Sequence, residues 1–184
     1  MSPFYTANGD DGFTGLLGEG RIAKNAPRIE AIGTLDEATA AIGLARSLSK
    51  SDPVRSLLIH LQRDLYHIMA EVAATPENAS RFRRIQEEQV EWLEQQTETI
   101  SQSISIPKEF ILPGDSPAGG ALSLARAIVR RAERRVVALF HEGDIENLEL
   151  VRYLNRLSSL LFLLELFEIS LDKPDSPTLA KEES

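Results

Sequence analysis

The sequence contains no cysteine among its 184 residues, which excludes disulfide bonds, thiol catalysis and thiolate metal sites. It also lacks an apolar run of the roughly 18 residues that a membrane span needs. Its 20 basic residues are outnumbered by 28 acidic ones, and this argues against nonspecific nucleic-acid binding, which requires a basic surface. The N-terminal residues show neither a secretory nor a transit pattern. We therefore expect a cytoplasmic protein without membrane or nucleic-acid partners.

Hydrophobic residues make up 42% of the chain, and most of them recur with the 3.6-residue period of amphipathic helices. No alternation long enough for a useful strand is present. We predict an all-α fold, a five-helix bundle with ferritin-like, up-down packing, in which four helices are long and one is more polar. The predicted helices begin after a Thr34 cap and after an Asp52 cap, and then cover about 82–100, 116–141 and 147–169.

The chain divides by composition into three segments. Residues 1–28 are rich in glycine and have no helical period, residues 29–171 contain the predicted bundle, and residues 172–184 form a polar, proline-broken tail. Such a tail is expected to be disordered because it offers too little apolar surface to bury.

Five arginines occur within ten residues of the fourth predicted helix, although the whole chain is acidic. Arg126, Arg130 and Glu133 follow i, i+4, i+7 and therefore share the border of the core face, whereas Arg131 and Arg135 point outwards. A local Arg130–Glu133 pair would explain part of the pattern. Two guanidiniums one turn apart repel each other, however, and a polyphosphate or a partner carboxylate between them would remove that repulsion.

The segment "YTANGDDGFTGLLGEGRIAK" combines closely spaced glycines with threonine, aspartate and lysine. Glycine lets backbone N–H groups approach a ligand, and aspartate can hold Mg²⁺ directly or through water. The segment is neither a Walker A loop nor a Rossmann fingerprint. It is either a flexible tail or a loop that orders around nucleotide phosphates.

Two other clusters give weaker signals. His60 and His67 lie on one side of the second predicted helix, but only Glu71 has suitable spacing to join them, so a metal site is not predicted. The polar helix carries several glutamates, which are best explained as a solvated face: Glu87, Glu88, Glu91, Glu94 and Glu98.

Three separated blocks of the chain resemble the PduO-type ATP:cob(I)alamin adenosyltransferases. They are the glycine-rich block through "GTLDEATAAIGLAR", the block "FILPGDSPAGGALSLARAIVRRAERRVVAL" and the block "YLNRLSSLLF". The resemblance implies a homotrimer with active sites between subunits, ATP, Mg²⁺ and a reduced corrinoid as ligands, and transfer of the 5′-deoxyadenosyl group of ATP to cobalt. A noncatalytic cofactor carrier or sensor on the same bundle is the alternative, and a purely structural oligomer is a third.

The resemblance also implies roles for particular residues. Catalytic roles fall to Arg126, Arg130 and Asn155, and an interface role falls to Asp36, which would pair with Arg126 across subunits. Phe110 matches the aromatic beside the corrinoid, although a buried core position is the simpler interpretation of a phenylalanine. Cofactor binding falls to Thr6, Gly9, Asp10, Gly12, Thr14, Lys24, Phe110 and Glu133.

The chain departs from the family pattern at Ala7, Thr39 and Ser159, where a basic residue, an asparagine and an aspartate are usual. An active enzyme is still expected, because Lys24, the two arginines and Asn155 are retained. A corrinoid reductase and a cobalamin-dependent acceptor enzyme are the expected protein partners.

Overall fold

The computed structural model describes residues 7–172 and 177–181, and this part of the chain is mostly helical. It contains six helices and one two-stranded sheet. The strands are β1 (Phe13–Gly15) and β2 (Arg21–Ala23), and the helices are α1 (Pro27–Leu48), α2 (Asp52–Ala73), α3 (Pro76–Phe82), α4 (Glu87–Ser101), α5 (Pro117–His141) and α6 (Leu148–Asp172). No helix in the described residues is both long and apolar enough to cross a lipid bilayer.

Helices α2 and α5 begin where their sequences predict, because each has a capping residue followed by a proline in the first turn. Ser116 caps α5 by accepting a hydrogen bond from the Gly119 backbone N–H at 3.0 Å. Ser51 caps α2 from one position before the predicted Asp52, accepting from the Val54 N–H at 3.4 Å. Proline fits the first turn because its missing N–H is one that the helix leaves unbonded.

The predicted start of the first long helix at Thr34 is wrong. Helix α1 begins at Pro27, after Ala26, without a side-chain cap. Thr34 lies buried inside the helix, and its Oγ1 donates to the Glu30 carbonyl at 2.7 Å. The apolar face that carries Leu35 extends back to Ala31, so burial continues the helix through a sequence that imitates a capping box.

The polar helix predicted over 82–100 is present as α4, but it begins later, at Glu87, and a separate short helix that was not predicted precedes it. Pro76 starts the short helix α3, and Gln86 starts α4 through a reciprocal capping box with Gln89. The described part of the chain therefore contains six helices rather than five, and the short sheet departs from the purely helical prediction.

The core lies between α1, α2, α4, α5 and α6, with α1 packed against α2 and α5, and α6 packed against α4 and α5. Arg28, near the start of α1, donates to the Asp144 carbonyl beyond the end of α5 at 2.7 Å. Glu37 of α1 pairs with Arg131 of α5. These two contacts make α1 and α5 antiparallel neighbours.

The C-terminal residues that the structure describes lie against the connector between α4 and α5. The Leu112 N–H donates to the Thr178 carbonyl at 2.8 Å, and the Ala180 N–H donates to the Phe110 carbonyl at 2.7 Å. Thr178 also donates to Asp115 through its backbone N–H and its hydroxyl. Residues 177–181 were expected to belong to a disordered tail, and these bonds instead give them defined partners.

Candidate functional site

The glycine-rich segment folds into a hairpin organised by Arg21. Its guanidinium donates to both carboxylate oxygens of Asp11 at 2.7 Å, to the Asn8 carbonyl at 2.5 Å and to the Phe13 carbonyl at 3.1 Å. The hydrogen bonds from Arg21 lower the pKa of Asp11 to about 2, and they raise the pKa of Arg21. The interpretation as a nucleotide loop did not single out Arg21, which closes this segment on itself.

Lys24 lies beside the same loop, and the end of its side chain packs closely against Gly9. The Lys24 ammonium donates to the Gly9 carbonyl at 2.7 Å, and a Cβ added at Gly9 would lie 2.8 Å from that ammonium nitrogen. Gly12 has φ +83°, a left-handed conformation that favours glycine. Its carbonyl accepts the Lys24 backbone N–H at 2.9 Å. The loop therefore presents a lysine charge at a fixed position.

The remaining predicted loop residues divide into three cases. Thr6 lies outside the described residues. Asp10 is exposed, and Thr14 is half-buried on β1. Asn8, Gly9, Phe13, Thr14, Gly15 and Arg21 surround an open pocket of about 380 Å³. Ala7 precedes this pocket with φ +60°, which is unusual for a residue with a side chain.

The arginines of α5 divide between its two neighbouring helices. Arg126 is half-buried on the α6 side, where its guanidinium carbon lies 5.7 Å from the centre of the Phe162 ring. Arg130 is exposed and has no hydrogen bond or ion pair within the described residues, so a local Arg130–Glu133 pair does not form. Arg131 was predicted to point outwards, and it is exposed but pairs with Glu37 of α1.

Glu133 and Asn155 are brought together from α5 and α6. The Asn155 Nδ2 donates to a Glu133 carboxylate oxygen at 3.0 Å. The Asn155 Oδ1 accepts from Arg156 at 2.9 Å, and Arg156 also donates to Glu94 of α4 at 2.9 Å. This chain of bonds fixes the predicted Glu133 and Asn155 side chains on the surface groove between α5 and α6.

Phe110 is not a core residue, because 87% of its surface is exposed. It lies on the rim of a cleft of about 330 Å³ between the α4–α5 connector, α5 and α6. Arg126 and Phe162 line the same cleft. The structure thus unites two residues that the sequence places 16 positions apart and to which the family resemblance assigns separate roles.

Asp36 is exposed on α1. The neighbouring Glu37 pairs with Arg131 within the chain. Asp36 and Arg126 form no ion pair within the described residues of one chain.

Two charged residues that the sequence analysis did not select are buried near these features. Arg28 donates to the carbonyls of Val72 and Ala74 at 2.9 and 3.0 Å and joins the ends of α1, α2 and α5. Glu165 of α6 lines the Phe110 cleft. A charged residue on an otherwise apolar helix face was the available signal for Glu165, whereas Arg28 lies in a segment taken for a loop.

Two of the three departures from the family pattern have a clear place in the structure. The Thr39 hydroxyl donates to the Leu35 carbonyl at 3.1 Å, and the Thr39 carbonyl accepts from Gln62 at 3.0 Å. Ser159 is exposed on α6. His60, where no metal site was predicted, stacks on Trp92 with ring centres 4.1 Å apart.

A family model described as cobalamin adenosyltransferase matches residues 4–168. The chain belongs to the cobalamin adenosyltransferase family. Within it, the chain is 41% identical over 161 residues to the corrinoid adenosyltransferase PduO of Citrobacter freundii, which covers 87% of this chain and 48% of that protein. It is 40% identical over 162 residues to the corrinoid adenosyltransferase of Bacillus subtilis, covering 86% of this chain and 82% of that protein. The chain therefore spans about half the length of the Citrobacter PduO relative.

Solved structures of this adenosyltransferase family share the fold. A phenylalanine-to-alanine variant of a PduO-type ATP:corrinoid adenosyltransferase from Lactobacillus reuteri, complexed with cobalamin and ATP, superposes with a TM-score of 0.88 at 32% identity. The match covers 97% of this chain and 99% of that one. An arginine-to-lysine variant complexed with ATP gives the same TM-score and covers 100% of that chain.

Proposed function

We propose that the chain is an ATP:corrinoid adenosyltransferase. In the proposed reaction a Co(I) corrinoid attacks C5′ of ATP, the Co–C bond forms with the cobalt electron pair, the C5′–O bond breaks and triphosphate leaves. Because Co(I) is itself the nucleophile, the protein has to position the reactants, stabilise the leaving charge and exclude water. This division of work suits a sequence without a Ser-His-Asp or Cys-His arrangement.

The observation that carries the proposal is the cleft shared by Phe110 and Arg126. An exposed aromatic ring beside an apolar wall suits a flat macrocycle, and a guanidinium at the same cleft suits an anion. We assign Phe110 to the corrinoid face and Arg126 and Arg130 to the triphosphate. Asn155 and Glu133, which fix each other, lie further along the same groove and are assigned to the nucleotide.

The glycine-rich hairpin is assigned to ATP binding, with Thr6, Gly9, Asp10, Gly12, Thr14 and Lys24 as its ligand-facing residues. Only one of its two aspartates suits Mg²⁺, because Asp11 is occupied by both nitrogens of Arg21. Mg²⁺ usually takes one or two protein carboxylates together with phosphate oxygens and water. Asp10 would therefore hold the Mg²⁺ that ATP brings with it, and the ion would neutralise part of the phosphate charge.

A homotrimer completes the proposed site. The hairpin is tied to the far end of the bundle, where the Leu17 N–H donates to the Ala73 carbonyl at 2.8 Å. Arg126 lies 15 residues before the end of α5, roughly 22 Å along its axis at about 1.5 Å per residue. A hairpin from one subunit facing the arginines of the next gives both halves a partner, and Asp36 would then pair with Arg126 across the interface.

The exposed surface of α1 and α5 is suited to that contact. Leu44 and Leu124 are 49% and 51% exposed. Each lies seven residues from the Glu37–Arg131 pair, so the antiparallel helices bring the two leucines to the same level. Burying such apolar area is the usual source of subunit affinity. The ferritin-like, up-down order of the helices belongs to the same proposal. The Arg28–Asp144 contact joins the start of α1 to the end of α5, and the Ser49–Glu168 contact joins the end of α1 to the last part of α6, so the two contacts support this order.

Anaerobic turnover tests the proposed function. With ATP, Mg²⁺ and cob(I)alamin, we expect the absorbance of a Co–C-bonded cobalamin to appear together with one triphosphate per turnover. Binding of both substrates without Co–C bond formation would show a carrier or sensor. Failure to bind either one would leave a structural role. The proposal also includes a cytoplasmic location. It includes two protein partners, a corrinoid reductase that supplies Co(I) and an acceptor enzyme that uses the product.

A further inference from the structure

Glu165 is a buried carboxyl group with one oxygen that lacks a hydrogen-bond partner within the described residues. It lies on α6 in the wall of the Phe110 cleft and is only 1% exposed. Its Oε1 has no hydrogen-bond partner within the described residues. A buried polar atom that stays unbonded costs free energy, of the order of 1–3 kcal/mol, so an unsatisfied oxygen in a ligand-sized cleft needs an explanation.

The other buried carboxyl groups of the described residues are all satisfied. Asp64 accepts from the Tyr153 hydroxyl at 2.6 Å, Glu71 accepts from Asn147 and Arg83 at 3.0 and 3.1 Å, and Glu168 accepts from the Ser49 hydroxyl. Glu165 therefore differs from the other buried carboxyl groups of the described residues, and it lines the Phe110 cleft.

The charges around Glu165 do not supply the missing bond. Burial raises the pKa of Glu165. A hydrogen bond with Ser123 and the positive charge of Arg126 lower this pKa, and the negative charge of Asp115 raises it. Arg126 lies over the Phe162 ring rather than in an ion pair with this carboxyl group. The Glu165 side chain thus lies near Arg126 with one oxygen free.

The free oxygen favours a neutral N–H donor on the ligand. At its free oxygen, an ionised Glu165 accepts an N–H bond, and a protonated Glu165 can either accept an N–H bond or donate to a carboxamide oxygen. A ligand carboxylate is repelled by the ionised form and cannot donate to it. The periphery of a corrin ring carries primary carboxamides, and the apolar walls of the cleft, which include Phe110, Ile111 and Phe162, suit the ring itself.

We propose that Glu165 is a specificity residue for the corrinoid: its side chain turns into the cleft when the corrinoid binds, so that the free Oε1 accepts from a peripheral carboxamide and disfavours corrinoids that carry a carboxylate at that position. This inference rests on the proposed function. Arg126 lines the same cleft and by itself would attract a ligand carboxylate. The negative charge of an ionised Glu165 offsets that attraction.

The first test compares cob(II)alamin with its separated monocarboxylates, in which one peripheral amide is hydrolysed to an acid. Affinity for the wild-type protein is measured by calorimetry, so that binding is read independently of turnover. We expect at least one monocarboxylate to bind about tenfold or more weakly than cobalamin. Equal affinity for all of them overturns the inference, whether or not the protein catalyses adenosyl transfer.

The second test uses Glu165→Gln, which keeps the shape and removes the charge. We expect the affinity gap for the disfavoured monocarboxylate to shrink to about threefold or less. Glu168→Gln, one turn away and bonded to Ser49 outside the cleft, is the matched control and should keep the wild-type gap. An unchanged gap in Glu165→Gln overturns the inference. So does a loss of ATP affinity in this variant without any change in the corrinoid gap, since Glu165 would then contact the adenine amine.

Discussion

The glycine-rich hairpin and the arginine face of α5 use their charges in opposite ways. In the hairpin, Arg21 is saturated by Asp11 and two carbonyl groups, and Lys24 is bonded to Gly9. On α5, Arg130 has no partner within the described residues, and Arg126 lies over an aromatic ring and near the Glu165 carboxyl group without a hydrogen bond or ion pair within the described residues. One region is closed on itself before any ligand arrives, while the other keeps its positive charge available.

This contrast indicates which region needs a partner. Internal hydrogen bonds fix a loop in advance, so less conformational entropy is lost when a ligand binds it. Unpaired guanidiniums gain most when an anion reaches them, because a charge-assisted bidentate bond is stronger than a neutral one. The hairpin would thus shape the nucleotide pocket, and α5 would supply the charge that stabilises the leaving triphosphate.

The largest expected effect comes from removing an unpaired arginine. Arg130→Ala should lower kcat/KM for adenosyl transfer by about 10²–10³, the range found when one donor to a developing anion is lost. The unfolding temperature should stay near the wild-type value, because Arg130 is exposed. Arg135→Ala, exposed on the same helix, is the control and should change the rate by less than about threefold. Equal losses in both variants would indicate a general charge effect rather than a specific site.

Asp36→Ala should have the next largest effect, on assembly. Without the partner for Arg126 across subunits, the proposed trimer should dissociate at protein concentrations about tenfold higher than for the wild type. Sedimentation velocity over a dilution series measures this shift. Glu37→Ala removes a neighbouring carboxylate that is bonded within the chain, and it serves as the control. A wild-type dilution profile for Asp36→Ala would refute the cross-subunit pair.

Arg21→Ala should open the closed region. We expect the KM for ATP to rise about five- to tenfold while kcat changes less, since the hairpin would shape the pocket without supplying leaving-group charge. The pKa of Asp11, about 2 in the folded protein, should return towards 3.8 in this variant. NMR titration of the Asp11 carboxyl carbon measures this pKa, and an unchanged value would contradict the pairing of Arg21 with Asp11.

The same pair has a defined pH dependence. Asp11 has a folded pKa below its unfolded value, so its stabilising contribution is fully present above about pH 4 and is lost as the pH falls towards 2. The wild-type hairpin should therefore loosen over this window, observed as increased amide exchange at Phe13, whose N–H bonds to Asp11. In Arg21→Ala the exchange rate should lose this dependence below pH 4.

The smallest effect is expected at Ala7, whose left-handed backbone is a mild strain on the hairpin. Ala7→Gly should relieve about 1 kcal/mol of that strain, although glycine also gains entropy in the unfolded chain. The net change in ATP affinity should be less than threefold, in either direction. A larger loss would mean that the alanine methyl group itself contacts the ligand, which calorimetry with ATP would reveal.

Much of the helical architecture could be predicted, because strong local signals agreed with burial. The Ser116-Pro117 start and the His141 end of α5 are determined by capping, proline geometry and apolar period. The start of α1 could not be predicted in the same way. Its first turn has no capping side chain, and it is held by Arg28, whose partners Val72 and Asp144 are 44 and 116 positions away.

The candidate site shows the same division. Family motifs in the sequence select Arg126, Arg130, Phe110 and Lys24, and the structure shows Phe110 exposed beside Arg126 instead of in the core. Arg21 and Glu165 were not selected, since neither has a local motif. Arg21 matters because of the hydrogen bonds that it makes across the hairpin. Glu165 matters because its buried Oε1 lacks a hydrogen bond within the described residues.

The sequence by itself determined the helical class, the family and the residue types that the proposed chemistry requires. These properties follow from local periodicity, capping and motif order, which act over a few residues. Only the tertiary structure decided which charges are satisfied and which remain available, namely a saturated Arg21, an unpaired Arg130 and a buried Glu165 with one free oxygen. The physical reason is that hydrogen bonding and burial depend on distances between residues far apart in the chain, and the packing of α1, α5 and α6 sets those distances.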